Sequence, residues 1–332
     1  MKGSYEVTVY NKDIHYKFTI KRNITVIRGD SATGKTKLFN LIRDYDDVGN
    51  SSGIILQCQK RCTVLSGANW KAALSGINDS IVFIDEQSSF INSVEFSDTI
   101  KCSNNYFVII TREKLAMLPY SVEEVYGIYS SGKYTNIKNE FSDKEKIFNV
   151  FYPIYENKSI NSLDDFDLII TEDSNSGFEF FGSYNKECLS ANGKSNIKDL
   201  IKSNINKRVL VIADGAAFGP EMLDVDKLLE KMKDMSIFLP ESFEWLILKT
   251  GDIKISELND ILQNPEEYIE STQYFSWENF FSFLLHEHTI GSVQAYTKSK
   301  LNPYYLGKGM KKKIENVIKQ FGLDFNDIKN DK

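Results

Sequence analysis

Short hydrophobic runs alternate with segments of helical spacing through the first half of the chain. Apolar, β-type runs lie at Tyr5–Tyr10, His15–Ile20, Ile24–Ile27, Ile81–Ile84 and Tyr106–Ile110. Leu38–Ile42, in contrast, carries its apolar residues at helical spacing. This alternation is typical of a parallel sheet with helical crossovers, so the sequence predicts an α/β fold. Val122–Tyr129 and Tyr134–Lys138 are predicted to form a hairpin that closes this half.

The same alternation of strand and helix patterns resumes after polar stretches between residues 139 and 165. Strands are predicted at Phe166–Thr171, Arg208–Ala213 and Met235–Leu239, with Trp245–Leu248 as a possible fourth. From Ile255 onward the pattern is helical and rich in aromatic residues. We therefore predict one domain over residues 1–145, a second α/β domain over residues 160–252, and a helical, basic extension over residues 253–332.

Composition narrows the class of protein. The 332 residues are 42% hydrophobic and 26% charged, close to globular averages. No apolar run approaches the roughly 20 residues of a membrane-spanning helix, and the N-terminus lacks the apolar core of a secretory signal. Four cysteines without a C-x-x-C pair are too few for a disulfide framework. These features predict a cytoplasmic protein without a membrane partner.

The charge is unevenly distributed. A net charge of -6 argues against indiscriminate coating of nucleic acid. The segment from Lys298 to Lys319, however, contains seven lysines and only one acidic residue, Glu315, which gives it a local charge of +6. This lysine stripe is the best candidate in the sequence for contact with nucleic acid, and a solvated helix face is its ordinary alternative.

Residues 29–36, GDSATGKT, match the phosphate-loop pattern G-x-x-x-x-G-K-[ST] at every constrained position. In such a loop the glycines and the backbone amides, here of Gly29, Ser31, Thr33 and Gly34, cradle phosphate oxygens. Lys35 would neutralise the terminal phosphates, and the Thr36 hydroxyl would ligate Mg²⁺. The motif follows the strand Ile24–Ile27 and precedes a helix, which is the context it requires. The sequence therefore predicts a site for ATP or another nucleoside triphosphate with Mg²⁺.

Two acids follow the hydrophobic run Ser80–Ile84. Asp85 would help to hold the Mg²⁺, and Glu86 would polarise the attacking water as the catalytic base. The run Tyr106–Ile110 is predicted to adjoin this strand, and Thr111 at its end is a candidate sensor of the terminal phosphate. Together these motifs resemble P-loop NTPases of the branch that has an additional strand and a catalytic glutamate. The N-terminal strand pair resembles the layout of ABC-type ATPases.

Acidic residues also end two predicted strands of the second half. Glu172 follows Leu168–Thr171, and Asp214 follows Arg208–Ala213. This order resembles a Toprim domain, the Mg²⁺-dependent fold of topoisomerases, primases and OLD-family nucleases. The resemblance implies that Glu172 serves in acid–base chemistry and that Glu172 and Asp214 bind metal. Clustered carboxylates suit a hard cation and the cleavage of a phosphodiester.

One residue departs from that family pattern. Ala216 stands where the resemblance leads us to expect a second aspartate, and Glu221, Glu241 and Glu244 are the possible substitutes. An ordinary flavodoxin-like domain with surface acids is the competing interpretation of this half.

Two functional hypotheses follow from the sequence. In the first, an ATPase gates a Toprim-like, Mg²⁺-dependent domain that acts on nucleic acid, resembling the ATPase–nuclease pairs of OLD-type bacterial or phage defence. In the second, an ATP-dependent regulatory protein carries a degenerate second domain that recognises a protein partner or another copy of this chain. A small-molecule phosphotransferase is a third class, but the sequence has no acceptor-binding motif.

Overall fold

The computed structural model describes residues 1–29, 33–131, 147–155, 160 and 162–325. The chain divides into two compact units. Unit 1 comprises the described residues between Met1 and Tyr155 together with Glu266–Phe275, and unit 2 comprises those of Glu156–Pro265 and Ser276–Lys332.

Unit 1 is built on one mixed sheet. Its strands and helices are β1 (Tyr5–Tyr10), β2 (Ile14–Ile20), β3 (Ile24–Ile27), α1 (Lys35–Val48), β4 (Ile55–Gln57), β5 (Arg61–Val64), α2 (Trp70–Ser75), β6 (Ser80–Ile84), α3 (Val94–Lys101), β7 (Tyr106–Ile110), β8 (Val125–Ser131) and β9 (Ile147–Pro153). Within the described residues the sheet has nine strands in the order β4-β1-β2-β9-β8-β3-β7-β6-β5.

The strands from β8 to β5 run parallel. Every residue of β3, β6 and β7 is buried, because apolar side chains cover both faces of this part of the sheet. Strand β7 lies between β3 and β6, and the prediction that Tyr106–Ile110 adjoins the strand Ser80–Ile84 is confirmed.

The other part of the sheet contains antiparallel pairs. The first two predicted strands pair antiparallel, and the Asn11 side chain accepts hydrogen bonds from the amides of Asp13 and Ile14 in the turn between them. The hairpin predicted at the end of this half is only partly described. β8 pairs antiparallel with β9, whereas Tyr134–Lys138 lies outside the described residues.

Unit 2 contains a smaller, fully parallel sheet of four strands among the residues that the structure describes, in the order β11-β10-β12-β13. Its strands and helices are β10 (Leu168–Thr171), α4 (Ser176–Phe181), β11 (Glu187–Ser190), α5 (Ile197–Ser203), β12 (Val209–Ile212), α6 (Gly219–Leu229), β13 (Met235–Phe238), α7 (Phe243–Lys249), α8 (Leu258–Gln263), α9 (Trp277–Thr289) and α10 (Lys308–Gln320). The predicted α/β class is confirmed.

One predicted strand of unit 2 is wrong. Trp245–Leu248 belongs to helix α7, not to a strand. The reason is local, because the Ser242 side chain accepts a hydrogen bond from the Trp245 amide at 3.1 Å and so caps the helix. Leu246, Ile247 and Leu248 are all buried, so an apolar run here marks a helix in the core.

Residues 266–275 are far along the chain but belong to unit 1. The Gly3 amide donates to the Glu266 carbonyl at 2.7 Å, and the Ser271 amide donates to the Met1 carbonyl at 3.1 Å. The chain therefore passes between the two units three times, after residues 155, 265 and 275. Within the described part of the chain, no helix is long and apolar enough to cross a membrane.

Candidate functional site

The phosphate-loop motif lies between the end of β3 and the start of α1. Gly29 and Gly34 have φ values of 135° and 93°, a region that glycine adopts without strain. The Lys35 ammonium donates to the Gly29 carbonyl at 2.6 Å and to the Thr33 hydroxyl at 2.9 Å. Lys35 is only 5% exposed, so its charge is held inside the loop. Ser31 lies outside the described residues.

A tyrosine from β2 supports this loop. The Tyr16 hydroxyl donates to the Gly34 carbonyl at 2.8 Å. Burial raises the pKa of Tyr16, so the hydroxyl stays protonated and available as a donor. A Cβ on Gly34 would lie 2.9 Å from that hydroxyl and 3.3 Å from the side-chain oxygen of Asn149 on β9. Tyr16 was not among the predicted site residues, because a buried tyrosine in an alternating strand looks like an ordinary core residue.

The strands that precede the phosphate loop and its predicted partners end at the same edge of the sheet. Ile27 pairs with Ile110, and Ile84 pairs with Ile109, so β3, β7 and β6 end at nearly the same level. The Thr111 amide donates to the Ile27 carbonyl at 3.1 Å, which places Thr111 beside the start of the loop. Its buried hydroxyl accepts from the Glu113 amide at 3.0 Å.

Asp85 and Glu86 follow β6 at this edge. An Asp85 carboxylate oxygen accepts from the Glu86 amide at 2.7 Å, and the Glu86 carboxylate lies 3.4 Å from the Nε of Arg112. Glu86 is exposed, and Thr36 is exposed in the first turn of α1. Carboxylate and hydroxyl oxygens are the ligands that Mg²⁺ prefers, so Thr36 and Asp85 are suited to hold it.

The two predicted acids of unit 2 lie together. Strands β10 and β12 are neighbours with Thr171 opposite Ile212, and Glu172 and Asp214 follow them at the same edge. The Glu172 carboxylate accepts a hydrogen bond from the Asp214 amide at 3.2 Å. The Asp214 carboxylate in turn accepts from the Phe243 amide at 3.2 Å.

These acids line a small cavity of about 30 Å³. Asp173, Glu244 and Lys298 also line it. Glu244 is buried in α7; one of its oxygens accepts from the Tyr296 hydroxyl at 2.7 Å, and the other has no hydrogen-bond partner among the described residues. We call this the carboxylate cavity. Tyr296 and Lys298 come from the predicted extension, and sequence reasoning did not connect them with these acids.

The cavity disfavours ionised carboxylates. Burial, reinforced by the Glu278 carboxylate, raises the pKa of Glu172 to about 7. Burial, followed by the carboxylates of Glu278, Glu244 and Glu172, raises the pKa of Asp214 well above its usual range. Burial tends to lower the pKa of Lys298, but the neighbouring carboxylates, that of Glu278 most of all, raise it. Negative charge is therefore in excess here.

The position that departs from the Toprim pattern is filled by a buried alanine. Ala216 donates its amide to the Glu241 carbonyl at 3.2 Å, and Glu221 is buried in α6. In the present arrangement, residues 1–29, 33–131, 147–155, 160 and 162–325 contain no group of three His, Cys, Asp or Glu side chains that could hold a metal ion. The unpartnered oxygen of Glu244 nevertheless fits a cavity that takes up a cation, because a buried carboxylate oxygen is costly to leave unsatisfied.

Much of the lysine stripe is engaged within unit 2. The Lys298 ammonium pairs with Glu278, and that of Lys313 pairs with Asp252. The Lys311 ammonium lies 3.7 Å from the centre of the Tyr184 ring, and Lys319 lies 2.8 Å from Asp324. The stripe is therefore less cationic than the sequence suggests, although exposed ion pairs are weak and leave their lysines accessible to an anionic partner.

Comparison of the chain with models of protein families, with curated proteins and with solved structures finds no match.

Proposed function

We propose that unit 1 binds and hydrolyses ATP or another nucleoside triphosphate. The observation that carries this proposal is the burial of the Lys35 ammonium inside a glycine loop, at the sheet edge where Asp85 and Thr111 also lie. A buried lysine held by a carbonyl and a hydroxyl is prepared to exchange those contacts for phosphate oxygens. The N-terminal end of the 14-residue helix α1 adds its own affinity for anions.

Each residue of the proposed nucleotide site has a separate role. Lys35 and the loop amides bind and orient the phosphates, and Thr111 contacts the terminal phosphate. Thr36 and Asp85 hold Mg²⁺, which supplies charge neutralisation between the phosphates when it is bound. Glu86 accepts a proton from the attacking water, and its ion pair with Arg112 orients the carboxylate until substrate arrives.

The test of this assignment separates binding from turnover. Glu86→Gln keeps the size of the side chain but removes the base, so nucleotide should bind with wild-type affinity while hydrolysis falls at least 100-fold. Glu95→Gln, on the exposed part of α3, is the matched control and should hydrolyse like wild type. Undiminished hydrolysis by Glu86→Gln would remove Glu86 from this role.

For unit 2, the proposal is a Mg²⁺-dependent activity on nucleic acid, controlled by the nucleotide state of unit 1. The pairing of Glu172 with Asp214 on neighbouring strand ends and the excess of buried negative charge support a cation-binding site. The chain passes between the units three times, and these connections support control of unit 2 by the nucleotide state of unit 1. The last passage, after Phe275, comes three residues before Glu278, the partner of Lys298.

A second function is favoured by a specific observation. Ala216 provides no ligand, and in their present arrangement the described residues contain no group of three His, Cys, Asp or Glu side chains that could hold a metal ion. This supports an ATP-dependent regulatory protein whose second unit recognises a protein without cleaving nucleic acid.

Cleavage of DNA and RNA with Mg²⁺ or Mn²⁺ distinguishes these two functions. The nuclease proposal predicts metal-dependent cleavage that Glu172→Ala and Asp214→Ala each abolish and that the exposed control Asp199→Ala retains. Wild-type protein that cleaves neither nucleic acid supports the regulatory function.

A further inference from the structure

Lys298 brings a positive charge into the carboxylate cavity from a distant part of the chain. It lies in the segment between α9 and α10, 84 positions after Asp214, and its side chain lines the same cavity as Glu172, Asp214 and Glu244. Its ammonium pairs with Glu278 at the start of α9. The Ser176 amide donates to the Lys298 carbonyl at 3.4 Å, so the backbone of this segment is fixed against α4.

The carboxyl groups around the cavity favour the presence of a cation. Four carboxyl groups line it, those of Glu172, Asp173, Asp214 and Glu244, and Lys298 is the basic residue among the lining residues. The ammonium interacts favourably with Asp214, Glu244 and Glu278. A lysine in this position satisfies electrostatically what a metal ion would otherwise satisfy.

A divalent ion and the ammonium group would compete for the same carboxylates. Both would lie at one small cavity of about 30 Å³, and two cations at such short range repel each other strongly when little water separates them. The Lys298 side chain is partly exposed and has a flexible four-carbon stem, so it can swing toward solvent without unfolding its neighbours. Glu244, with its unpartnered oxygen, stays behind as an available ligand.

We propose that Lys298 is a built-in cation of the carboxylate cavity and that a divalent metal ion enters only by displacing its ammonium group. This inference rests on the cation-binding site proposed for unit 2 and adds its regulation. Lys298 lowers the metal affinity of the site and keeps it inactive at low metal concentration. A change at the start of α9 that moves Glu278 would alter the hold on Lys298 and hence the metal affinity.

The test measures metal binding by the full chain without nucleotide or nucleic acid, with Mn²⁺ as the probe in calorimetric and electron paramagnetic resonance titrations. Lys298→Gln should bind Mn²⁺ at least tenfold more tightly than wild type, because the competing charge is gone. Lys298→Met, which keeps an apolar stem, should do the same. Lys298→Arg and the neighbouring control Lys300→Gln should stay within about twofold of wild type.

The double variant Lys298→Gln/Asp214→Asn locates the effect, because it should lose the gain if the added affinity belongs to the carboxylate cavity. An Mn²⁺ affinity that is unchanged or weaker in both neutral Lys298 variants would overturn the inference, as would a gain that survives Asp214→Asn. Failure of the nuclease proposal gives a different result. In that case the neutral variants still gain affinity for Mn²⁺, while the wild-type protein cleaves no nucleic acid at any metal concentration.

Discussion

The carboxylate of Glu172 accepts a hydrogen bond from the backbone amide of Asp214 at 3.2 Å. This contact joins the ends of two neighbouring parallel strands and holds two buried acids at one edge of the sheet. The amide favours the charged form of Glu172, but burial and the nearby Glu278 outweigh it. Ionisation of these buried acids therefore lowers the free energy of unfolding, and this effect can be measured.

Glu172→Gln should stabilise the protein at pH 8 and change little at pH 5. The pKa of Glu172 is raised to about 7 in the folded state from 4.5. Its favourable contribution is therefore fully present below about pH 4.5 and is lost as the pH rises through 7. A shift of this size corresponds to about 3 kcal/mol of unfolding free energy at pH 8, which glutamine would recover. Urea denaturation at the two pH values measures it.

Glu187→Gln is the control for that experiment, because Glu187 is half-exposed and pairs with Lys207 at the surface. It should change the unfolding free energy by less than about 1 kcal/mol at either pH. An equal effect of Glu172→Gln at pH 5 and pH 8 would contradict the electrostatic account of the cavity.

Tyr16→Phe should weaken nucleotide binding while leaving the fold intact. The substitution removes the hydroxyl that donates to the Gly34 carbonyl but keeps the buried ring. Loss of one such hydrogen bond costs about 1 kcal/mol, so the Kd for ATP should rise about two- to tenfold. Tyr152→Phe, on an exposed ring of β9, should bind ATP like wild type. Equal affinities of the Tyr16 and Tyr152 variants would show that Tyr16 does not support the loop.

Replacing Lys311, Lys312 and Lys313 with glutamine should weaken binding of nucleic acid and flatten its dependence on salt. Each phosphate contact that is lost should reduce the slope of log K against log salt concentration by about 0.7–0.9. Three exposed lysines elsewhere, Lys227, Lys231 and Lys233, form a matched triple control. A slope that falls equally in both triple variants would mean that only net charge matters, and not the lysine stripe.

The sequence was most informative where the chemistry is contiguous. The phosphate loop occupies eight consecutive residues, and the strands beside it are buried on both faces, so their apolar runs are unbroken. Trp245–Leu248 shows the limit of this signal, because a short apolar run does not distinguish a buried strand from a buried helix. The Ser242 cap decided between them, and it was readable in the sequence as a serine at the helix start.

The carboxylate cavity was only partly predictable. Glu172 and Asp214 each end a hydrophobic strand, and parallel topology brings such ends together. Lys298 and Tyr296 reach the same place through a turn of chain after α9, and no periodicity encodes that distance. A lysine inside a basic stretch looks like a surface residue, so its place among buried acids required the folded structure.

Nucleotide binding by the phosphate loop is tested by the affinity of the full chain for ATP with Mg²⁺, measured by calorimetry for wild type, Lys35→Ala and Lys37→Ala. Lys35 is buried in the phosphate loop, whereas Lys37 is exposed two residues further along α1. We expect wild type and Lys37→Ala to bind ATP with similar affinity and Lys35→Ala to lose at least 100-fold. Equal binding by Lys35→Ala and Lys37→Ala, or no binding by wild type, would refute a nucleotide site at this loop.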